Sequence, residues 1–438
     1  MQSTIVAVAG HRIWDSRGRP TVEVEVTLAD GTRGRGMAPA GASRGAHEAV
    51  DLRDGGMRHG GFDVMHAVRN VNDIVAPHLL GLDALDQHGV DQVLVAVDGT
   101  PNKSRLGGNA TIATSMAVMH AAAAASGLPL WKYLAEDTQC SLPMPEVQIF
   151  GGGAHAGQRV DIQDFLVMPA GSGSFDEALA ICAEIYRAAG ELMAQRKSRC
   201  GVADEGGWWP DFASNEEALS VLTDAIERAG CGGGKALISL DIAASEFYRD
   251  GLYRLGLEGK TFETGAWLAE LYRWIERYPI ISVEDPVAED DVAGMRAFTA
   301  AVGSRVQVVG DDFLVTDAAR VAHAAAAGCC NAVLIKPNQA GTVSETRAAL
   351  LAGHKAAWGT IVSARSGETE DVCITHMAVG WNAGQLKVGS FARSERMAKW
   401  NEGLRIERSG AALSGFAGMT GVPVSARGNG DTEASAGR

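Results

Sequence analysis

The chain has 438 residues, 46% of them hydrophobic, with 53 acidic against 39 basic side chains and a formal net charge of -14. That is length enough for two domains and apolar mass enough for a full core without disulfide or metal staples. The acidic balance excludes a nucleic-acid or anionic-membrane surface, which needs clustered Lys and Arg, but leaves room for an anionic substrate where a few cations converge with a divalent metal.

The start, Met1-Gln-Ser-Thr-Ile-Val, lacks a basic segment followed by a long apolar run, so no signal peptide is expected. No uncharged apolar stretch reaches the ~18 residues that a membrane span needs. The seven cysteines are scattered without a C-x-x-C pair and read as reduced thiols of a cytoplasmic protein. Thr21–Leu28 alternates polar and apolar with a period of two, the pattern of a half-buried antiparallel strand. Pro39–Gly45 is glycine-rich and reads as a mobile loop, and Val64 to Leu134 reads as helices ending in an alanine-rich run. Residues 1–135 are thus expected to form a small α+β domain.

From residue 140 to 415 the rhythm changes. Short apolar segments at Ala236–Leu240, Ile280–Val283, Val306–Val309, Ala332–Ile335, Thr360–Val362 and Gln385–Val388 alternate with amphipathic helical ones. One helix opens on the capping box Ser214-Asn-Glu-Glu217; another runs from Trp267 to Ile275 and stops before Pro279. Continuous apolar strands alternating with helices predict a parallel sheet covered by helices, and six units favour closure into a barrel. The expected fold is α/β, a small N-terminal α+β domain followed by a modified (β/α)8 barrel. The tail 425–438 lacks large apolar side chains and is expected to be disordered.

The chemistry lies at the charged residues that end these strands. Asp241, Glu284 with Asp285, and Asp311 with Asp312 end three successive strands, and Lys336 and Lys387 end two later ones. Active sites of parallel barrels sit at the mouth where those ends converge. One strand-end acid is ordinarily a helix cap or a solvated charge; three converging ones repel unless a cation joins them. Oxygen-only ligands select a hard ion, so Mg2+ is expected on Asp241, Glu284 and Asp311. A lysine beside such an ion can act as a general base next to a carboxylate, which fits Lys336. Lys399, in a polar run, reads instead as a surface ion pair. Glu205 in Asp204-Glu-Gly-Gly can project as an acid, with His155, Gln163 and Asp164 nearby in sequence. Arg365 and Ser366 could clamp a phosphate or carboxylate.

Over about Ile5 to Glu407 these segments resemble the enolase family. The motifs are Asp15-Ser-Arg-Gly-Arg-Pro-Thr-Val-Glu-Val, Asp204-Glu-Gly-Gly, Asp241-Ile-Ala-Ala-Ser-Glu-Phe, Val283-Glu-Asp-Pro, Gly310-Asp-Asp, Lys336-Pro-Asn-Gln, Arg365-Ser-Gly-Glu-Thr-Glu-Asp and Ala392-Arg-Ser-Glu-Arg. The resemblance implies an enolase-type barrel, a homodimer or higher homo-oligomer, a small phospho-carboxylate substrate and two Mg2+ ions. It implies Asp241, Glu284 and Asp311 as metal ligands, Lys336 as base, and Glu205 as acid with Asp164 as its partner. Lys387, Arg365, Ser366, His155 and Gln163 match substrate-pocket residues, and Ser43 and Arg44 of the glycine-rich loop complete that set.

Several positions depart from the family pattern. Ala40 stands where a loop Ser helps hold the second ion, Arg44 replaces Thr, Asp164 replaces Glu and Ala364 replaces His. Pro337 comes directly after the base, and Gly151-Gly-Gly-Ala-His replaces Asn-Gly-Gly-Ser-His. Together these changes open space near the leaving group. They imply a diverged member acting on a bulkier or more anionic phosphonate-bearing substrate, resembling the carboxyphosphonoenolpyruvate synthases of antibiotic pathways. The alternatives are an ordinary enolase converting 2-phosphoglycerate to phosphoenolpyruvate, or an inactive enolase-fold binding protein.

Overall fold

The computed structural model describes residues 2–136, 138–409 and 413–424; the tail expected to be disordered lies outside them. The N-terminal part opens with an antiparallel meander of β1 (Ile5–Trp14), β2 (Pro20–Leu28) and β3 (Arg33–Met37). The period-two pattern does what it predicts: Val22, Val24, Val26 and Leu28 are buried together on one face. Against that face lies the helix Gly108–Ala125, whose small residues let it approach closely. Gly34 and Gly36 sit under it, and a Cβ on either would collide with the helix backbone at Ala117 or Ala113.

The second part is a closed eight-stranded barrel. It starts with β4 (Met144–Gly151), β5 (Asp164–Met168) and β6 (Leu237–Asp241). A three-stranded antiparallel flap of β7 (Tyr248–Arg249), β8 (Leu252–Leu255) and β9 (Lys260–Phe262) interrupts it. It resumes with β10 (Ile280–Glu284), β11 (Gln307–Gly310), β12 (Ala332–Ile335), β13 (Gly359–Ser363) and β14 (Gly384–Gly389), which returns to pair with β4. All neighbouring barrel strands run parallel except β5, which is antiparallel to both β4 and β6. The six apolar segments read from the sequence are β6 and β10 to β14.

Helices cover the barrel where periodicity places them. Asn215–Arg228 is capped by Ser214, whose hydroxyl accepts the Glu217 amide at 3.0 Å, while the Glu217 carboxylate accepts the Ala213 amide at 2.6 Å. Thr264–Arg277 buries Trp267, Leu268, Leu271, Trp274 and Ile275 and ends before Pro279. No helix among the described residues is long and apolar enough to cross a membrane.

Candidate active site

Reversal of β5 brings the expected acids together. Because β5 runs against its neighbours, its first residue sits at the mouth where the other strands end, so Asp164 faces Asp241 in register. Asp164 thus opens a strand, with Gln163 directly before it. A narrow polar cleft forms there, lined by Gly41, Ser43, His155, Gln163, Asp164, Glu205, Asp241, Lys336, Ser363, Ala364, Arg365, Ser366, Lys387 and Val388.

At its floor Lys387, on β14, donates to Asp241 Oδ2 at 3.0 Å and Glu284 Oε2 at 2.8 Å, and lies 4.0 Å from Asp164 Oδ2. One ammonium thus faces three buried carboxylates. Lys336, immediately after β12, donates to Asp311 Oδ2, and Gln339 Nε2 donates to Asp311 Oδ1 at 2.9 Å. Gln163 Nε2 donates to Asp241 Oδ2 at 3.0 Å. The three expected ligands share this charge network but are not a single tight cluster of oxygens. Near the cleft, among the described residues, the groups whose ligand atoms all lie within 4.8 Å of one another are His155–Asp164–Glu205 and Asp285–Asp311–Asp312. The two lysine ammonium groups stand among the acids and divide them.

That division leaves negative charge poorly met. Burial, then the nearby Asp241, holds the Glu284 carboxyl well above the usual carboxylate range. Burial and the Asp311 charge push Asp285 up to about 8. Glu284 Oε1 and Gln163 Oε1 are buried without a hydrogen-bond partner. Buried oxygen donors with unmet charge fit a hard dication, and Mg2+ is what this donor chemistry favours. Burial, the largest single influence, lowers Lys336, but the nearby acids together, Asp311 first and then Glu284, raise its proton affinity. Neutralising them with a dication removes that effect.

On the opposite wall, Asp164 is held by Gln148 Nε2 and by His155 Nδ1 at 2.9 Å, and His155 Nε2 lies 3.7 Å from Glu205 Oε1. Burial would lower the imidazole, yet Asp164 and Glu205 push it up to about 9, so His155 is a cation at neutral pH. Glu205 is opposed by burial but kept below its ordinary value by His155 and by Arg396, 4.0 Å away.

The anion clamp is formed and internally engaged. Arg365 Nη1 donates to Glu48 Oε2 at 2.9 Å and to Asn338 Oδ1 at 3.0 Å, and Nη2 donates to the Ser43 carbonyl at 2.9 Å. Ser366 Oγ accepts the Ala42 amide at 2.5 Å. The loop read as mobile is thus tied down: Ala40 and Gly367 exchange backbone bonds of 2.8 Å, and a side chain at Gly41 would strike the Arg365 guanidinium. Arg44 is not brought to the cleft. It is exposed and lies 3.9 Å from Asp51, because the loop turns its side chain outward while Ser43 faces in.

Lys399 also departs from expectation. It is fully buried, donates to the Thr369 carbonyl at 3.0 Å and pairs with Glu368 at 3.1 Å. Sequence reasoning assigns no role to Glu48, whose partner Arg365 lies 317 residues away, to Gln148 or to Arg396, and gives Asp285 no role of its own. Asp285 accepts the Asp311 and Asp312 amides at 3.0 and 2.7 Å; its place directly after Glu284 is the one signal that points to it.

Comparison with known proteins respects the same division of the chain. The family described as "Enolase, N-terminal domain" matches residues 5–134, and "Enolase, C-terminal TIM barrel domain" matches residues 139–423. The chain is 48% identical over 432 residues to a protein named "Enolase" from Acidothermus cellulolyticus, covering 98% of this chain and 99% of that one. It is 46% identical over 410 residues to "Enolase 1" of Methylococcus capsulatus, covering 93% and 97%.

Proposed function

Because the chain belongs to the enolase family, and so to carbon–oxygen lyases that use Mg2+, we propose that it converts 2-phosphoglycerate to phosphoenolpyruvate. The observation that carries this reading is one cleft presenting Lys336, Lys387 and Arg365 together with the Asp164–His155–Glu205 cluster. In this reading Asp241, Glu284 and Asp311 hold the ion, and when bound it supplies positive charge for the enolate that forms beside the carboxylate.

The chain's own groups divide the remaining work. Lys336 Nζ takes the proton from the carbon next to the carboxylate, and Lys387 faces that carboxylate. Arg365 and Ser366 hold the phosphate, exchanging the Glu48 carboxylate for substrate oxygens. Glu205 delivers a proton to the departing hydroxyl, which becomes water. The proton that Glu205 passes on comes from the His155 imidazolium, whose Nε2 lies 3.7 Å from Glu205 Oε1 and which Asp164 holds in place. A cytoplasmic location and a homodimer or higher homo-oligomer belong to the same proposal.

A second reading is favoured by the cleft wall. Ala364 lines the cleft where the family pattern has His, and the shorter Asp164 is drawn to His155. Both side chains are smaller than those of the family pattern, which is the basis of the carboxyphosphonoenolpyruvate synthase-like reading with its bulkier phosphonate-bearing carboxylate. The names carried by the full-length relatives support the first reading more strongly.

Purified chain with Mg2+ and 2-phosphoglycerate should produce phosphoenolpyruvate at a rate of an ordinary enzyme, on the order of 1–10³ per second. Absence of turnover by an intact, folded protein would reject the first reading in favour of the second. Lys336→Ala should slow exchange of the carbon-bound proton roughly 10²–10⁴-fold. Exchange at the parent rate would remove Lys336 as base under either reading.

A further inference from the structure

Away from the cleft, a second group of metal-binding side chains is assembled from distant parts of the chain. His120 lies in the helix Gly108–Ala125, Asp371 comes shortly after the Arg365–Ser366 segment, and Cys373 opens the helix Cys373–Gly380. A ring nitrogen, a carboxylate oxygen and a sulfur from these three all lie within 4.8 Å of one another. His376, on the same helix as Cys373, borders the group, with Nε2 3.5 Å from Glu402 Oε1.

The polar atoms here satisfy one another only in part, through an ion-pair contact of His120 with Asp371. His120 Nε2 is 3.6 Å from Asp371 Oδ1, too far for a hydrogen bond. His120 Nε2, Asp371 Oδ2 and His376 Nδ1 are all buried without a partner, and the Asp371 side chain is only 9% exposed. Asp371 Oδ1 accepts the Cys373 amide at 2.8 Å, which fixes the carboxylate and leaves Oδ2 available. Two unpartnered donor atoms within the group, His120 Nε2 and Asp371 Oδ2, carry a desolvation cost that an ion would offset.

We propose that His120, Asp371 and Cys373 form a Zn2+ site that ties the N-terminal helix to the barrel segment bearing Arg365 and Ser366. Thiolate, imidazole and carboxylate together suit zinc, whereas the all-oxygen cleft suits magnesium. Tetrahedral zinc with bonds of about 2.0–2.3 Å places its ligand atoms roughly 3.3–3.7 Å apart, and the three ligand atoms here already lie within 4.8 Å of one another. As sulfur binds the ion, the Cys373 thiol proton passes to solvent. The site rests on none of the roles assigned in the cleft. Its bland rival is a simple His120–Asp371 ion pair beside a buried core thiol.

The test uses the full chain in excess Mg2+, so that the cleft acids are not free to take the probe. Zn2+ is added, the protein is desalted and bound zinc is measured; a parallel sample receives Co2+. The expected result is one zinc per chain and a thiolate-to-cobalt charge-transfer absorption. Both should vanish in Cys373→Ser and in His120→Gln, and both should persist in Cys200→Ser, which removes the exposed thiol. Circular dichroism confirms that each variant is folded; His120 is partly exposed, so its variant stands in should Cys373→Ser misfold. Absence of the cobalt band in the parent protein, or a band and zinc content unchanged in the two site variants, overturns the proposal.

Discussion

Arg365 is buried and its charge is met by Glu48 through two contacts of 2.9 and 3.2 Å. Removing that carboxylate strands a guanidinium in a low-dielectric pocket, a change that typically costs about 3–5 kcal/mol. Glu48→Gln should therefore lower the unfolding midpoint, and inorganic phosphate should restore part of the loss by taking the place of the missing charge. A variant that melts with the parent, phosphate or not, would show that Glu48 is not the counter-charge. His155 makes a second residue-scale prediction. Its folded value of about 9 stands above the unfolded histidine value, so its stabilisation is complete below about pH 6.5 and lost as pH rises through about 9. Replacing it with Gln should flatten the parent's decline in stability over that window, read from urea midpoints at each pH. Much of this site is legible in the sequence because strand-end charges are local: Asp241, Glu284, Lys336 and Lys387 each directly end, or sit in, an apolar strand. Arg44 is not legible in this way, because the direction in which a loop turns its side chains has no such periodicity. Glu48 escapes because its partner lies 317 residues away.

At the scale of elements, the helix Ser394–Arg408 shows where polarity misleads. Its sequence is charge-rich, which reads as solvated, yet Arg396 and Lys399 are fully buried on its inner face. Their charges meet backbone carbonyls. Arg396 donates to Arg365 O at 2.7 Å, Val388 O at 2.8 Å and Ser366 O at 2.7 Å, so this helix holds the anion clamp in place. Arg396→Met should leave those carbonyls unmet, costing on the order of 3 kcal/mol. It should also raise KM for the anionic substrate more than a neutral surface change would. Steady-state kinetics on the folded variant checks this, and an unchanged KM would limit Arg396 to stability alone. The barrel strands divide in the same physical way. β6 and β10 to β14 are readable as apolar runs between helices, whereas β4 contains Pro145 and β5 is short, starts on an acid and runs backwards. No one-dimensional pattern signals that reversal, although it is what delivers Asp164 to the mouth.

At the scale of the molecule, the carboxylates under the cleft couple stability to pH and to magnesium. Glu284, Asp285 and Asp312 all stand above the usual carboxylate range, Asp285 at about 8, with burial the first cause of each. A group whose folded value is raised contributes stability below its unfolded value and loses it as pH rises through the folded one. In the metal-free protein these acids must therefore charge without adequate counter-charge between about pH 4.5 and 8, and stability should fall over that interval. Mg2+ opposes the fall by binding the charged form. Its stabilisation is given by RT ln(1 + [Mg2+]/Kd), with Kd tightening as the carboxylates lose their protons. The increment that Mg2+ adds to the thermal midpoint should thus be small near about pH 5 and grow steadily toward about pH 8. Asp311→Asn should remove most of it. Scans with chelator and with Mg2+ at several pH values separate this from the His155 contribution, which declines with pH whether or not the ion is present. A magnesium increment that is constant with pH, or that survives in Asp311→Asn, would mean that the ion is held elsewhere and that the acids ending β6, β10 and β11 serve only to bind their two lysines.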